Sequence, residues 1–576
     1  MNNKPFFKIL SLLLLIVVMA GCIPMSTASI DRNAAVVAEK VLKESEKPKK
    51  EKKESKKSNY KLADEQVLNL SIRSYSDLEP NNAYGEYYDI LTLVLPGLTR
   101  QDTESSEFLP VLAKSWEVSD DRLTWTFTIR DDVPWVTYNT ATQAVEQVTG
   151  LDGEPAYVTA QDIQTRIMQI LDPFAYAYNS YLLYSIAGAE DYYTLANTAD
   201  HVQIEVPSST ELVIHLTKPD ASFLSLTELS MFSAVPSWLN VSDTTADTYF
   251  YGPYVATTLM TVEYLSVSII RNPFWVDTKG LATPILDEIN INLQYDLDVL
   301  SAFRNGEIDA VSLNESEYQE ALADAELAQY LVDAPGGYGI YALFNNTNLE
   351  PINDVEIRRA MASIIDKTDL LESVEGYSGE VLQGFIPDAL REESFEGISY
   401  NPEVDVTLDT QPSAAFDFLY NSYNVNREVV ERLSIVWQEK FGWTFYPFGD
   451  QYSYLSDDLQ NIYTQFPGMY ILSFSMEANG QENLWNYLQD NSSFVEILKG
   501  NWNNSEFNSL FDQAQMELND EKRAKLYGRM EEILVNEDVM IIPLFWAQQH
   551  WLIRSDVGAE IRPVFQQLEN WARIIP

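Results

Sequence analysis

Cysteine is nearly absent from this chain. Among 576 residues only Cys22 carries a thiol, which excludes an internal disulfide. Histidine is almost as scarce: His201, His215 and His550 lie far apart in ordinary strand or loop contexts and read as structural residues. No G-x-S-x-G elbow, H-E-x-x-H zinc helix, Walker loop or EF-hand loop occurs. The Gly-rich patch Gly336-Gly337-Tyr338-Gly339 lacks the Lys-Ser/Thr of a phosphate cradle and reads as a flexible turn. With 86 Asp and Glu, carboxylate pairs are too common for any one of them to signal glycoside chemistry. The residues therefore point to binding without turnover, with no cofactor and no metal.

Positive charge is also in short supply, with 38 Lys and Arg against 86 acids and a net charge of −48. Phosphate binding needs clustered Lys and Arg to release counterions, so nucleic acid is excluded as a partner. Long apolar runs are missing beyond the first residues, and nothing after residue 21 reaches eighteen consecutive apolar positions.

What is present begins at the N-terminus. Lys4 and Lys8 precede an apolar run over residues 9–21 that ends in M-A-G-C. The order is that of a secretory signal with a lipid-attachment site, in which small Ala20 and Gly21 admit a peptidase and Cys22 receives the lipid. The run is too short to cross ~30 Å of hydrocarbon comfortably. Residues 1–21 are thus expected to be removed, leaving a chain held at the outer face of a membrane, or in a periplasm, through Cys22. Residues 22–61 form a charged tether, with K-E-S-E-K-P-K-K-E-K-K-E-S-K-K-S at its centre and no aromatic before Tyr60. Such a composition buries too little apolar surface to offset chain entropy. Residues 1–61 hold 13 basic and six acidic residues, so the remaining 62–576 hold 25 and 80.

From residue 62 short strands and helices alternate without an internal repeat. Residues 67–71 read as a strand and 87–95 as a helix stopped by Pro96-Gly97. W-E-V-S and L-T-W-T-F-T-I-R flank Asp120-Asp121 as a β-hairpin, with Trp116, Trp125 and Phe127 on its buried face. Thr159 caps a helix reaching Ile170. Residues 212–216 and 264–271 read as strands, and 353–365 and 506–518 as helices. Such mixed order indicates α/β lobes, and a body this long exceeds one core.

Specific blocks then carry a resemblance. They are P-V-L-A-K-S-W-E-V-S-D-D-R-L-T-W-T-F-T-I-R-D-D-V-P-W over 110–135, T-A-Q-D over 159–162, G-P-Y over 252–254, R-N-P-F-W over 271–275 and N-G-E-I-D over 305–309. I-N-D-V-E-I-R-R-A-M-A-S-I-I-D-K follows F-N-N-T within 344–367, and E-K-R-A-K-L-Y precedes E-D-V-M-I-I-P-L-F within 521–545. In this order and over residues 70–552, they resemble the oligopeptide- and dipeptide-binding branch of extracellular solute-binding protein family 5, the receptors of ABC importers. Most of these residues read as core or caps: Arg130 pairs with an acid of its own lobe, Asn353 or Asp354 caps the helix of Arg358, and Pro543 ends a strand.

The resemblance implies a bilobal type II periplasmic-binding fold of α/β class with an additional third lobe. Lobe I would comprise 62–98, 234–340 and 549–576, the extra lobe 99–233 and the far lobe 341–548, with hinge crossings near Ile340–Tyr341 and Trp546–Gln549. It implies a monomer whose partners are a peptide, an ABC permease with ATPase subunits, and the membrane through Cys22. An aspartate in the family's W-x-A-D-Y motif holds the ligand ammonium, and Phe474-Ser475-Met476-Glu477-Ala478-Asn479 corresponds to it here. Glu477 takes the place of the aspartate, with Phe474, Ser475, Met476 and Asn479 around it. The loop 81–86 would offer backbone to the peptide through Tyr84, Gly85 and Glu86, and loop 377–384 and Trp485 are lesser candidates. The altered motif also leaves open an oligosaccharide, a metal chelate, or a sensor that uses this fold without import.

Overall fold

The computed structural model describes residues 61–72, 87–102, 107–150, 153–175, 177, 180–239, 249–257, 266–293, 297–344, 349–374, 377–391, 414–421, 426–450, 468–475, 484–485, 488, 502–517, 519–559, 561 and 568–575. Cys22 and nearly all of the expected tether lie outside them, whereas Lys61–Leu62 already pairs as a short strand with Ile574 and Ile575.

An eleven-stranded sheet organises the described body. Its strands are β1 (Val67–Ile72), β2 (Tyr254–Ala256), β3 (Ser266–Arg271), β4 (Glu288–Leu293), β5 (Ala310–Leu313), β6 (Leu331–Phe344), β7 (Gly379–Val381), β8 (Ala415–Asn421), β9 (Thr444–Asp450), β10 (Gly468–Ser475) and β11 (Ile541–Ile553). The order is β2-β3-β4-β1-β5-β11-β6-β10-β8-β9, with β7 on β11 as well. Helices that matter below are α1 (Glu315–Ala323), α2 (Val355–Ser363), α3 (Lys367–Glu372), α4 (Asn426–Phe441), α5 (Ser505–Met516) and α6 (Asp520–Glu532).

β6 and β11 are the two long strands, and they run antiparallel from Leu331↔Leu552 to Leu343↔Ile541. At the Leu552 end β11 has β5 on its other edge, through Leu313↔His550. At the Ile541 end that edge takes β7, through Gly379↔Ala547 and Val381↔Phe545. The same two strands thus belong to two groups of strands and cross between them. Side chains alternate strictly in the far group. Tyr341 and Leu343 enter one core with Phe385, Phe474, Trp485 and Trp546, while Ile340, Ala342 and Phe344 enter another with Phe418, Trp437 and Phe545. That double-sided burial is why the strands read as continuous apolar runs.

The near group has its own cores. Leu68, Leu70, Ile289 and Ile291 join residues of segment 108–256, including the hairpin strands Ala113–Val118 and Thr124–Ile129. Trp125 and Phe127 are buried as the alternation predicts, while Trp116 is half-buried. Arg130 pairs with Asp132 at 2.8 Å. The helix Ala160–Ile170 starts at Thr159, whose N–H and hydroxyl both donate to the Asp162 carboxylate. Asp354 accepts from Glu356 N as the cap of α2.

Two expectations drawn from single residues fail. Pro543 does not end a strand. It lies within β11 opposite Tyr341, where a one-residue register shift relieves the ladder of the missing N–H. Gly336–Gly339 is not a turn but the centre of β6, and the glycines are there because β11 presses close. A Cβ on Gly339 would stand 2.6 Å from Trp546 Cε3.

Candidate ligand-binding cleft

Strand direction marks the candidate site. In the near group β1, β4 and β5 are parallel to one another, and β5 advances toward the crossing, from Ala310↔Ile553 to Leu313↔His550. In the far group β8, β9 and β10 are parallel, and β10 advances toward the same crossing, from Met469↔Phe344 to Ser475↔Tyr338. The carboxyl ends of two parallel sets therefore face each other along β6 and β11. In open α/β sheets this is where ligands bind, because the loops leaving those ends are free of the ladder. Four steps along β11, from Trp546 to His550, separate the two ends, roughly 13 Å at the rise of a strand.

Between the ends the ladder is interrupted. Pairing jumps from Pro335↔Gln548 to Gly339↔Trp546, and shifts again between Ile340 and Tyr341. Side chains bind where the main chain does not: Trp546 Nε1 donates to Gly336 O at 2.7 Å and Gln549 Nε2 to Pro335 O at 2.8 Å. Both irregularities fall at or beside the positions where the hinge is expected.

Polar groups collect on the near side of the crossing. His550 is buried, with Nδ1 2.6 Å from Asp333 Oδ1, Nε2 3.9 Å from Glu315 Oε2, and its ring stacked on Tyr318 at 3.6 Å. Ser378 Oγ donates to Glu315 Oε2 at 2.7 Å, and Gln548 N donates to Ser378 O. A bridge thus joins α1 of the near group to the segment entering β7 of the far group. Each histidine has a structural partner, since His215 meets Thr124 and Glu205, and His201 meets Thr198. Among the described residues no group of three or more His, Cys, Asp or Glu could hold a metal ion. No helix among them is long and apolar enough to cross a membrane.

Residues 107–412, more than half of the chain, match the model of the bacterial extracellular solute-binding proteins, family 5, middle region. The chain belongs to that family.

Its sequence is 24% identical to the dipeptide-binding protein DppE of Bacillus subtilis, over 84% of this chain and 87% of that protein. Against the oligopeptide-binding protein OppA of the same organism identity is 24%, over 82% and 86%. Among solved structures, the unliganded open form of the periplasmic murein tripeptide-binding protein MppA superposes with a TM-score of 0.71. That match has 20% identity and covers 90% of this chain and 99% of that one. The fold is the type II periplasmic-binding fold of family 5.

Within this family 5 chain the expected contact residues separate into three sets. Phe474 and Trp485 lie inside the far core, not on a crevice wall. Phe474 is 2% exposed and packs on Tyr341 and Phe385, with centroids 4.9 and 6.0 Å away, and Trp485 is fully buried and stacked on Tyr527. The cause is the alternation of β10, which sends Tyr470, Leu472 and Phe474 to one face together. Ser475 is the last residue of that strand, paired with Tyr338 at the crossing. Tyr84, Gly85, Glu86, Met476, Glu477 and Asn479 lie outside the described residues. The two segments that carry them begin immediately after the cleft-facing ends Ile72 and Ser475. Tyr338 and the crossing glycines read from the sequence as a flexible turn, although an aromatic within a G-G-Y-G run is a signal for close backbone approach.

Proposed function

We propose that this chain is the lipid-anchored receptor of an ABC importer, which captures peptides between the two strand groups and delivers them to a membrane permease powered by ATPase subunits. The observation that carries the reading is the pair of opposed carboxyl-end edges bridged, among the described residues, by the two strands β6 and β11. An extended peptide offers the same N–H and C=O groups whatever its sequence, so strand ends and their loops recognise it through the main chain. Two bridging strands with a broken ladder let the groups turn about Pro335–Tyr341 and Trp546–Gln549, since a few residues absorb the dihedral change. Ligand favours the closed form only by its differential affinity for it. The names of the relatives, binding proteins for dipeptides and oligopeptides, support the ligand class.

In this reading Cys22 holds the lipid and residues 22–61 space the body from the membrane. Lobe I comprises 62–98, 234–340 and 549–576, the extra lobe 99–233 and the far lobe 341–548. The receptor acts as a monomer. Glu477 holds the peptide ammonium, for which a charged acceptor gives a stronger bond than a neutral one, with Met476, Asn479, Tyr84, Gly85 and Glu86 beside the ligand. Native mass spectrometry of the tag-free protein tests the ligand class: co-purifying peptide masses support it, and sugar or chelate masses replace it. Calorimetry then tests Glu477→Ala, which weakens peptides with free amino termini far more than acetylated ones. A non-peptide solute is the second reading, favoured by Phe474, Met476 and Ala478 standing where the family motif has Trp, Ala and Tyr.

A further inference from the structure

Among the described residues, two buried polar atoms at the crossing have no hydrogen-bond partner, His550 Nε2 and the Tyr377 hydroxyl. The imidazole is already held by Asp333 and faces Glu315. The phenol is different, because rings and a glycine surround it. Its ring centroid is 6.2 Å from that of Tyr338 and 6.0 Å from that of Phe545, and a Cβ on Gly379 would stand 2.8 Å from Tyr377 Cε1. Packed in this way, the ring cannot swing its hydroxyl into water without breaking those contacts. A buried hydroxyl without a partner forfeits its hydration, and native interiors keep few of them.

Position gives this orphan a meaning. Tyr377 immediately precedes Ser378, whose oxygens meet Gln548 N and Glu315 on the two sides of the crossing. Tyr338, against which it packs, is the partner of Ser475 at the cleft-facing end of β10. Turning of the two groups about the register break, as proposed above, changes the surroundings of this hydroxyl. Burial holds its proton on, well above the ordinary tyrosine range, so the group is a donor.

We propose that the Tyr377 hydroxyl is a ligand-recognition donor, unsatisfied in the free receptor, that bonds a carbonyl or carboxylate oxygen of a peptide when the two strand groups close. The inference rests on the peptide-receptor reading above. It makes a signature with two signs. Removing the hydroxyl relieves the free protein of an unpaired group and deprives the loaded one of a bond.

The test is Tyr377→Phe, with Tyr338→Phe as a neighbouring control, titrated calorimetrically with alanine peptides of two to five residues and melted without ligand. The expected result is affinity about tenfold weaker for Tyr377→Phe, with a melting temperature equal to or above wild type. Unchanged affinity overturns the inference. A loss of affinity accompanied by a lower melting temperature, or one that Tyr338→Phe reproduces in full, overturns it too, since the hydroxyl then supports the free fold or the loss belongs to the aromatic pair. If wild type binds none of these peptides, the peptide reading fails and this inference with it, a result distinct from equal binding by wild type and variant.

Discussion

The indole of Trp546 donates to the Gly336 carbonyl at 2.7 Å, from one crossing strand to the other, where the main-chain ladder between them is broken. Trp546 is fully buried in the far core, so the bond ties the interrupted part of β6 to that core. Trp546→Phe keeps most of the ring and removes the donor. A buried carbonyl left without its partner costs about 1–3 kcal/mol, and calorimetric melting measures that loss. If the two groups close about this crossing as proposed, free and peptide-bound forms should lose unequally, because the bond spans the interrupted ladder.

Gly339 faces the same indole. An added methyl would lie 2.6 Å from Trp546 Cε3, and the ring cannot retreat while its nitrogen is held by Gly336. Gly339→Ala is expected to destabilise the protein by about 1–3 kcal/mol through overpacking. Pairing it with Trp546→Phe tests the cause, since the two losses add to less than their sum if the clash depends on the fixed indole.

Lys367 places its ammonium inside the far core, donating to Leu382 O at 2.8 Å, and burial pulls its pKa down to about 7. The unfolded chain still binds the proton up to the ordinary lysine value. Between pH 7 and that value the unfolded state holds more protons than the folded one, so stability rises with pH over this window and levels off below it. Lys367→Met lacks this dependence. Its melting temperature relative to wild type should be higher at pH 6 than at pH 10, and a difference constant with pH would refute the assignment.

Arg391 and Glu531 form a buried pair, with two guanidinium nitrogens each 2.9 Å from a carboxylate oxygen and Ile386 N donating at 2.9 Å. Burial raises the Glu531 pKa while Arg391 pulls it back. Arg391→Met leaves a buried carboxylate uncompensated, an expected loss of about 3–5 kcal/mol. Without the arginine the carboxyl is protonated more readily in the fold than in the unfolded chain. Its contribution is then lost as pH rises, so the deficit is smaller at pH 5 than at pH 8. Chemical denaturation at both values checks the magnitude and the sign.

Much of this architecture is legible because it is written in periodicity. The hairpin around Asp120-Asp121 and the helix after Thr159 follow alternation and capping that need no tertiary context. The family blocks carried the fold class. What misled was punctuation and motif. Pro543 and Gly336–Gly339 look like breaks, yet a bulge accommodates the proline and close strand packing demands the glycines. Phe474 looked like cleft floor because of the motif it belongs to. Counting by twos from Tyr470 along G-M-Y-I-L-S-F-S puts it in the core, and that count was available from the residues. Loop 377–384 was a lesser candidate in the sequence, but the Tyr377 hydroxyl could not be singled out within it, because its lack of a partner depends on neighbours from β6 and β11.

Closure about the crossing is the claim on which the proposed function stands. The chain is suited to a direct distance measurement, since replacing its single cysteine leaves two introduced thiols as the only labels. Leu322 on α1 and Ile435 on α4 are exposed residues of the near and far groups. With fluorophores on Leu322→Cys and Ile435→Cys, energy transfer is measured while a peptide shown by calorimetry to bind is added. A saturable change in transfer that follows the calorimetric isotherm is the predicted result. Transfer that stays constant at saturating peptide, with either fluorophore order, would contradict it.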